Sequence, residues 1–179
     1  MADRPIVTCP NASHAITTTE SFESYYRRDY RKLIGLAYML AGSNAVAEDL
    51  VQDALTEAHR RWGTISGYDD PGAWVRRVLV NKSTSRFRRL RTETKGLLRL
   101  SGHAQQHVAP SEPNAEVWEA VRSLPPRQAQ AIALQYWEDR SVAEIAEILE
   151  CSTETVKTHL KRGRASLAKT LESHRGDGS

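Results

Sequence analysis

The sequence predicts an all-α protein made of two small helical domains joined by a flexible linker, the C-terminal domain carrying a helix-turn-helix. Three observations predict it. Apolar residues recur at three-and-four spacing along most of the chain, and no strand-like alternation of useful length appears. That periodicity fails from about Thr92 to Glu112, where Gly96, Gly102, Gln105, Gln106 and Pro110 collect. Beyond it, SVAEIAEILECSTETVKTHLKRGRASLAKTL, residues 141–171, reads as two amphipathic helices meeting at a tight corner. The expected boundaries are a leader at 1–20, a first domain at 21–91, a linker at 92–112, a second domain at 113–173 and a tail at 174–179.

The leader is polar, threonine-rich and expected to be mobile. A first helix begins at Phe22, with Tyr26, Tyr30, Leu33, Ala37 and Leu40 as its apolar stripe, and stops at Gly42. Ser43 or Asn44 caps a second helix, whose buried stripe is Val46, Leu50, Ala54, Ala58 and Trp62. Its opposite face is acidic: residues 41–57 hold four acids (Glu48, Asp49, Asp53, Glu57) and no base. Glu48 and Asp49 are expected in the first turn, where carboxylates suit the helix dipole. Asp49, Gln52, Asp53 and Thr56 share one side. Such a side is either simply solvated or meets another protein, and the residues alone leave both open.

The Gly63–Asp70 stretch reads as a loop, and Asp70 before Pro71 as a helix start, since proline in a first turn loses no hydrogen bond. The third helix turns Trp74, Val78 and Leu79 inward, followed by Phe87 and Leu90. Residues 74–99 contain nine bases (Arg76, Arg77, Lys82, Arg86, Arg88, Arg89, Arg91, Lys95, Arg99) against the single acid Glu93. So one-sided a face calls for an anionic partner. Asn81, Ser83, Thr84 and Ser85 add hydrogen-bonding groups, while Trp74 and Tyr68 bring aromatic faces on which bases can stack.

After the linker, Pro113 opens a helix with Val117, Trp118, Val121 and Leu124 on one face. Pro125 and Pro126 end it and start another, packed through Ala129, Ile132, Ala133 and Tyr136 or Trp137. In the helix-turn-helix, Val142, Ile145, Ala146 and Leu149 form the first core face, and Val156, Leu160, Leu167 and Leu171 the second. Glu150, Cys151 and Ser152 make the corner, with Thr153 as the expected N-cap. The small Ala146 admits a close crossing that Val156 fills. Residues 153–169 hold five bases (Lys157, Lys161, Arg162, Arg164, Lys169) and the one acid Glu154, a balance suited to DNA phosphates.

A net charge of +3 is modest, so any nucleic-acid binding must come from these local clusters. Two cysteines, Cys9 and Cys151, make no disulfide framework and no CxxC pair. His103 and His107 are too loosely set to suggest a metal site, and no cofactor is expected. The leader lacks the pattern of a secretion signal, and no run reaches the ~18 apolar residues of a membrane span. A cytoplasmic protein is expected.

Three motifs in this order resemble the extracytoplasmic-function sigma factors of the sigma-70 family, the two-domain bacterial RNA polymerase subunits, in particular the actinobacterial sigma-E-like subgroup. AEDLVQDAL, residues 47–55, resembles the core-binding helix. WVRRVLVNKSTSRFRR, residues 74–89, resembles the helix that separates strands and reads the minus-10 element; LPPRQAQAIALQYWEDRSVAEIAEILECSTETVKTHLKRGRASL resembles the minus-35-reading domain. The resemblance covers residues 22 to 172.

It implies an alternative sigma factor that directs promoter-specific initiation and performs no chemistry itself. Its implied partners are core RNA polymerase, promoter DNA and an anti-sigma factor, though no motif identifies the last. Asp49, Gln52 and Asp53 would dock on core polymerase. Tyr68, Trp74, Arg77, Asn81, Lys82 and Arg88 would meet the minus-10 strand, with a flipped base captured near Asn81 and the Gly63–Asp70 loop. Thr155, Lys157, Thr158, Lys161 and Arg162 would meet the minus-35 duplex. Glu150 departs from the pattern, because the family often places glycine at that corner and a non-glycine residue at positive φ is disfavoured. The rival reading is an autonomous helix-turn-helix regulator, which leaves both the acidic second helix and the basic third helix without roles. A nucleic-acid-processing enzyme would need a catalytic cluster that the sequence does not offer.

Overall fold

The computed structural model describes residues 20–97 and 115–176, with side chains within 20–86 and 116–173. Cys9, the leader through residue 19, His103, His107, linker residues 98–112, Pro113 and residues 177–179 lie outside the described residues, as do the side chains of Phe87, Arg88 and Leu90.

Eight helices and no strand occur among the described residues: α1 (Phe22–Ala41), α2 (Asn44–Arg60), α3 (Trp62–Ile65), α4 (Pro71–Leu97), α5 (Ala115–Ser123), α6 (Pro126–Tyr136), α7 (Val142–Leu149) and α8 (Thr153–Gly176). The first four form one bundle and the last four another. The expected stop and start signals hold at several ends. Gly42 closes α1 at φ 71°, donating its amide to the Tyr38 carbonyl at 2.7 Å. Asp70 accepts the Ala73 amide at 3.0 Å one turn into α4. Pro126 opens α6.

Several expectations shift. The buried row of α1 is Tyr25, Asp29, Leu33, Leu36 and Ala37, whereas Tyr26 is exposed. Asp29 interrupts that row with a charge, so apolar spacing alone selects the neighbouring row. α2 starts at Asn44, which places Glu48 and Asp49 beyond its first turn, where the dipole no longer explains them. The Gly63–Asp70 loop begins inside α3. α4 runs to Leu97, into the stretch expected to be linker from residue 92. Apolar periodicity reports a buried stripe rather than the helix itself, and residues 92–97 contain no proline to stop one. Ser152 rather than Thr153 caps α8, accepting the Thr155 amide at 3.1 Å. Tyr136 is exposed, lying over the Arg164 guanidinium.

The two bundles share one continuous hydrophobic core. α1 packs on α5 and α6, and α4 packs on α7. Gly35 of α1 sits against the Trp137 indole, and a Cβ there would come within 2.5 Å of the ring. Gln130 of α6 donates its amide to the Val80 carbonyl at 2.7 Å and to Thr84 Oγ1 at 2.5 Å. Within the second bundle, buried Gly163 lets α8 cross close to Ile132 of α6.

Candidate nucleic-acid and partner interfaces

The helix-turn-helix is built as its sequence spacing requires. Ser141 and Glu144 form a capping box: the Glu144 amide donates to Ser141 Oγ, and the Ser141 amide donates to Glu144 Oε2 at 2.8 Å. These bonds, first from the Ser141 backbone, then from its hydroxyl and Arg140, hold the Glu144 carboxyl down at about 2. At the corner Glu150 adopts φ 53° and ψ 49°, so this non-glycine residue takes the disfavoured left-handed conformation. The Cys151 amide donates to the Ala146 carbonyl at 3.0 Å. Val156 and Leu160 of α8 point into the core.

The outward side of α8 carries Thr155, Lys157, Thr158, Lys161 and Arg162, all exposed. The structure thus gathers all five minus-35 candidates at one end of a single helix, with the two core residues between them facing inward. Lys157 pairs with Glu154 at 2.6 Å, and Thr158 Oγ1 donates to the Glu154 carbonyl. His159 is half-buried among them, and desolvation followed by the nearby Arg127 and Arg162 cations pulls its pKa below the ordinary histidine value.

The candidates for the minus-10 strand divide. Asn81 is exposed on α4, and Tyr68 is exposed in the preceding loop. Trp74 is half-buried, with the Arg61 guanidinium 5.9 Å from its ring centre. Trp74, Arg77 and Asn81 fall on one helical side by spacing. Arg77 is already engaged: Nη1 donates to Glu150 Oε1 at 2.9 Å and Nη2 to the Glu147 carbonyl at 2.7 Å. Lys82 lies 3.9 Å from Asp53 and 3.8 Å from Glu57.

Arg76 corrects the reading of the α4 bases as one set facing an anionic partner. It is only 1% exposed, donating to Asp29 of α1 at 3.1 Å and to Glu138 after α6. Burial opposes its charge, yet the carboxylates, Glu138 foremost, outweigh that and push its pKa above the ordinary arginine value. Arg86 lies 3.7 Å from Asp49. All four basic residues of α4 with described side chains therefore face a carboxylate of the same chain. The anionic partner that the charge pattern calls for is thus supplied in part from within.

On α2, Asp49 and Asp53 remain 63% and 68% exposed despite these long contacts. Gln52 turns to the α1 side, where a groove of about 440 Å³ is walled by Phe22, Tyr26, Tyr30, Glu48 and His59. Tyr26 and Tyr30 stack at 5.0 Å, and Phe22 meets His59 edge-on at 4.8 Å. Sequence reading missed this aromatic wall. Phe22, Tyr26 and Tyr30 at four-residue spacing were visible, but that spacing reads first as a core stripe.

Comparison with known proteins follows the same division of the chain. Residues 25–93 match the family description Sigma-70 region 2, and residues 114–167 match Sigma-70, region 4. The RNA polymerase sigma-E factor of Streptomyces avermitilis is 32% identical over 157 residues, covering 85% of this chain and 86% of its own length. The ECF RNA polymerase sigma factor SigM of Mycobacterium tuberculosis is 29% identical over 160 residues, covering 89% and 82% respectively. Among solved structures, the sigma factor RpoE of Bartonella quintana, in complex with the anti-sigma factor NepR, superposes with a TM-score of 0.68 at 25% identity, covering 84% of this chain and 96% of the other.

Proposed function

The chain belongs to the sigma-70 family as an extracytoplasmic-function sigma factor, and from that membership we propose how its surfaces divide the work of initiation. Such a factor binds core RNA polymerase and directs it to a promoter class, without being an enzyme itself. The observation that carries the assignment is the succession of region 2 and region 4 over residues 25–93 and 114–167.

In the proposed division, Asp49, Gln52 and Asp53 dock on core polymerase. The support is their exposure on a helix whose acids the helix dipole does not explain. Tyr68, Trp74, Arg77, Asn81, Lys82 and Arg88 take the melted minus-10 strand, stacking and phosphate contacts offsetting the few kcal/mol of unstacking per flipped base. Thr155, Lys157, Thr158, Lys161 and Arg162 enter the major groove at minus-35, supported by their common exposed side. The domains are taken as 21–91 and 113–173, with α4 continuing past the first boundary to Leu97. The work takes place in the cytoplasm, in keeping with the absence among the described residues of a helix long and apolar enough to cross a membrane. A related sigma factor was solved with an anti-sigma factor, and a partner of that kind is proposed here as well.

Run-off transcription with core polymerase on genomic fragments of the source organism tests the whole reading. A transcript that starts at one position and requires this chain is expected; core binding without such a transcript from any fragment overturns it. An autonomous regulator would instead shift a specific duplex at nanomolar concentration without polymerase.

A further inference from the structure

α1 carries four bases, Arg27, Arg28, Arg31 and Lys32, and two acids, Glu23 and Asp29. Both acids are already used: Glu23 by Arg27 at 2.6 Å, and Asp29 by Arg28 at 2.6 Å and by Arg76. Arg31 and Lys32 are exposed and have no acid of their own helix left to meet. With Arg28 and Gly35 they share one side of α1 at three-and-four spacing. On that side Gly35 seats the Trp137 indole along its Nε1 and Cζ2 edge. Trp118 meets the same indole edge-on at 6.2 Å, yet Trp137 stays 41% exposed.

Beyond Trp137 the surface continues onto α8. Tyr136 is 59% exposed, and the Arg164 guanidinium lies 5.8 Å from its ring centre, held by its bond to Gln135 Oε1 at 2.7 Å. Arg164 in turn follows Lys157 and Lys161 along one side of α8 at the same spacing. Of the two acids after Trp137, Glu138 turns inward to Arg76 and Asp139 alone is exposed. The result is a track of cations, with Lys161 and Arg164 at one end, Arg31 and Lys32 at the other, and two exposed aromatic rings between them. A single exposed ring calls for no explanation. Two adjacent rings flanked by cations match the way unpaired bases stack while their phosphates are held. A duplex keeps its base faces covered and an acidic peptide offers no row of π faces, so the rings favour a single strand.

We propose that this track is a further nucleic-acid site, which takes single-stranded DNA with its phosphates on Arg31, Lys32 and Arg164 and its bases on Tyr136 and Trp137. The choice of DNA over RNA follows from continuity with Lys157 and Lys161, and in that respect alone the proposal rests on the assignment of α8 to the promoter. The strand-reading face of α4 is no part of it.

Anisotropy of a labelled 20-nucleotide oligothymidine with the full chain, without polymerase, gives the readout; a duplex and an oligouridine of the same length are the comparisons. Tyr136→Ala should weaken oligothymidine binding about fivefold or more, as for a lost stacking platform, while leaving duplex binding unchanged. Tyr136→Phe should bind as wild type. Arg31→Glu with Lys32→Glu should weaken oligothymidine binding about tenfold and flatten the slope of log affinity against log salt by roughly 1.4, the share of two single-strand phosphates. All three substituted residues are exposed, so circular dichroism should not change. Loss of oligothymidine binding in Asn81→Ala with none in these variants puts the strand on α4 alone and overturns the track. Absence of binding by wild type, or equal losses on strand and duplex, overturns it too, and tighter binding of oligouridine overturns the choice of DNA. Because run-off transcription is scored separately, none of these failures is confused with failure of the sigma-factor assignment.

Discussion

Glu150 shows what one residue contributes at two levels. It holds a left-handed backbone that an L side chain adopts at a cost of roughly 1 to 2 kcal/mol, while its carboxylate pairs with Arg77 across the bundles. That pair is mostly exposed and stabilises by about 0.5 kcal/mol. Glycine would relieve the backbone but spend more entropy on folding. Glu150→Gly is therefore expected to raise the stability of the chain by about 0.5 kcal/mol in urea denaturation. Arg162 acts outward only. If it reads a base, Arg162→Ala should cost about 1 to 3 kcal/mol of discrimination between the correct and a substituted minus-35 element, with melting unchanged. Glu150 was legible as an oddity in the sequence because the family that the motifs resemble often places glycine at that corner. Arg76 was not legible, since a buried arginine and a phosphate-facing one look alike until Asp29 and Glu138 are brought beside it by residues distant in the chain.

Among the elements, α7 depends most on its start, because eight residues are too few to hold a helix by propensity alone. Ser141→Ala should cost about 1 kcal/mol through loss of the cap. The same box sets an acid limit. The Glu144 carboxyl is held at about 2, below its unfolded value, so its contribution is full above the ordinary glutamate range and is lost as the pH falls toward 2. Acid titration of thermal stability should show a smaller loss between pH 5 and 2 in Glu144→Gln than in wild type. On α2, the exposed acids can be reversed without opening the core: Asp49→Arg with Asp53→Arg should abolish capture by core polymerase while leaving circular dichroism unchanged. Helix ends were readable from Gly42, Asp70 and Pro126, since capping is local chemistry. Which row of α1 is buried was not, because Asp29 takes a core position to meet Arg76 and displaces Tyr26 to the surface.

At the scale of the whole molecule, two helical groups and their order were evident in the sequence, whereas their mutual packing was not. No local pattern marks Gly35 as the seat of Trp137 or Gln130 as a ligand of the Val80 carbonyl. The buried ions offer a way to separate what holds a bundle together from what holds the bundles to each other. Asp29→Ala removes the one carboxylate that, among the described residues, Arg76 meets in its own bundle and leaves that cation, 1% exposed, with Glu138 alone. A loss of about 1 to 3 kcal/mol is expected, since Arg76 keeps Glu138 but loses one charged hydrogen bond. Glu138→Ala leaves Arg76 with Asp29 and releases Arg140, which is partly exposed and still holds Glu144 at 2.6 Å. Its cost should be similar in size, with the loss falling on the contact between bundles rather than on either bundle. Urea denaturation followed by circular dichroism, together with hydrogen exchange resolved by segment, distinguishes the two. Asp29→Ala should weaken protection throughout α1 and α4, while Glu138→Ala should raise exchange chiefly where α4 faces α7. Equal losses with the same pattern of exchange would mean that the two bundles unfold as one unit and that the ion chain does not divide between them.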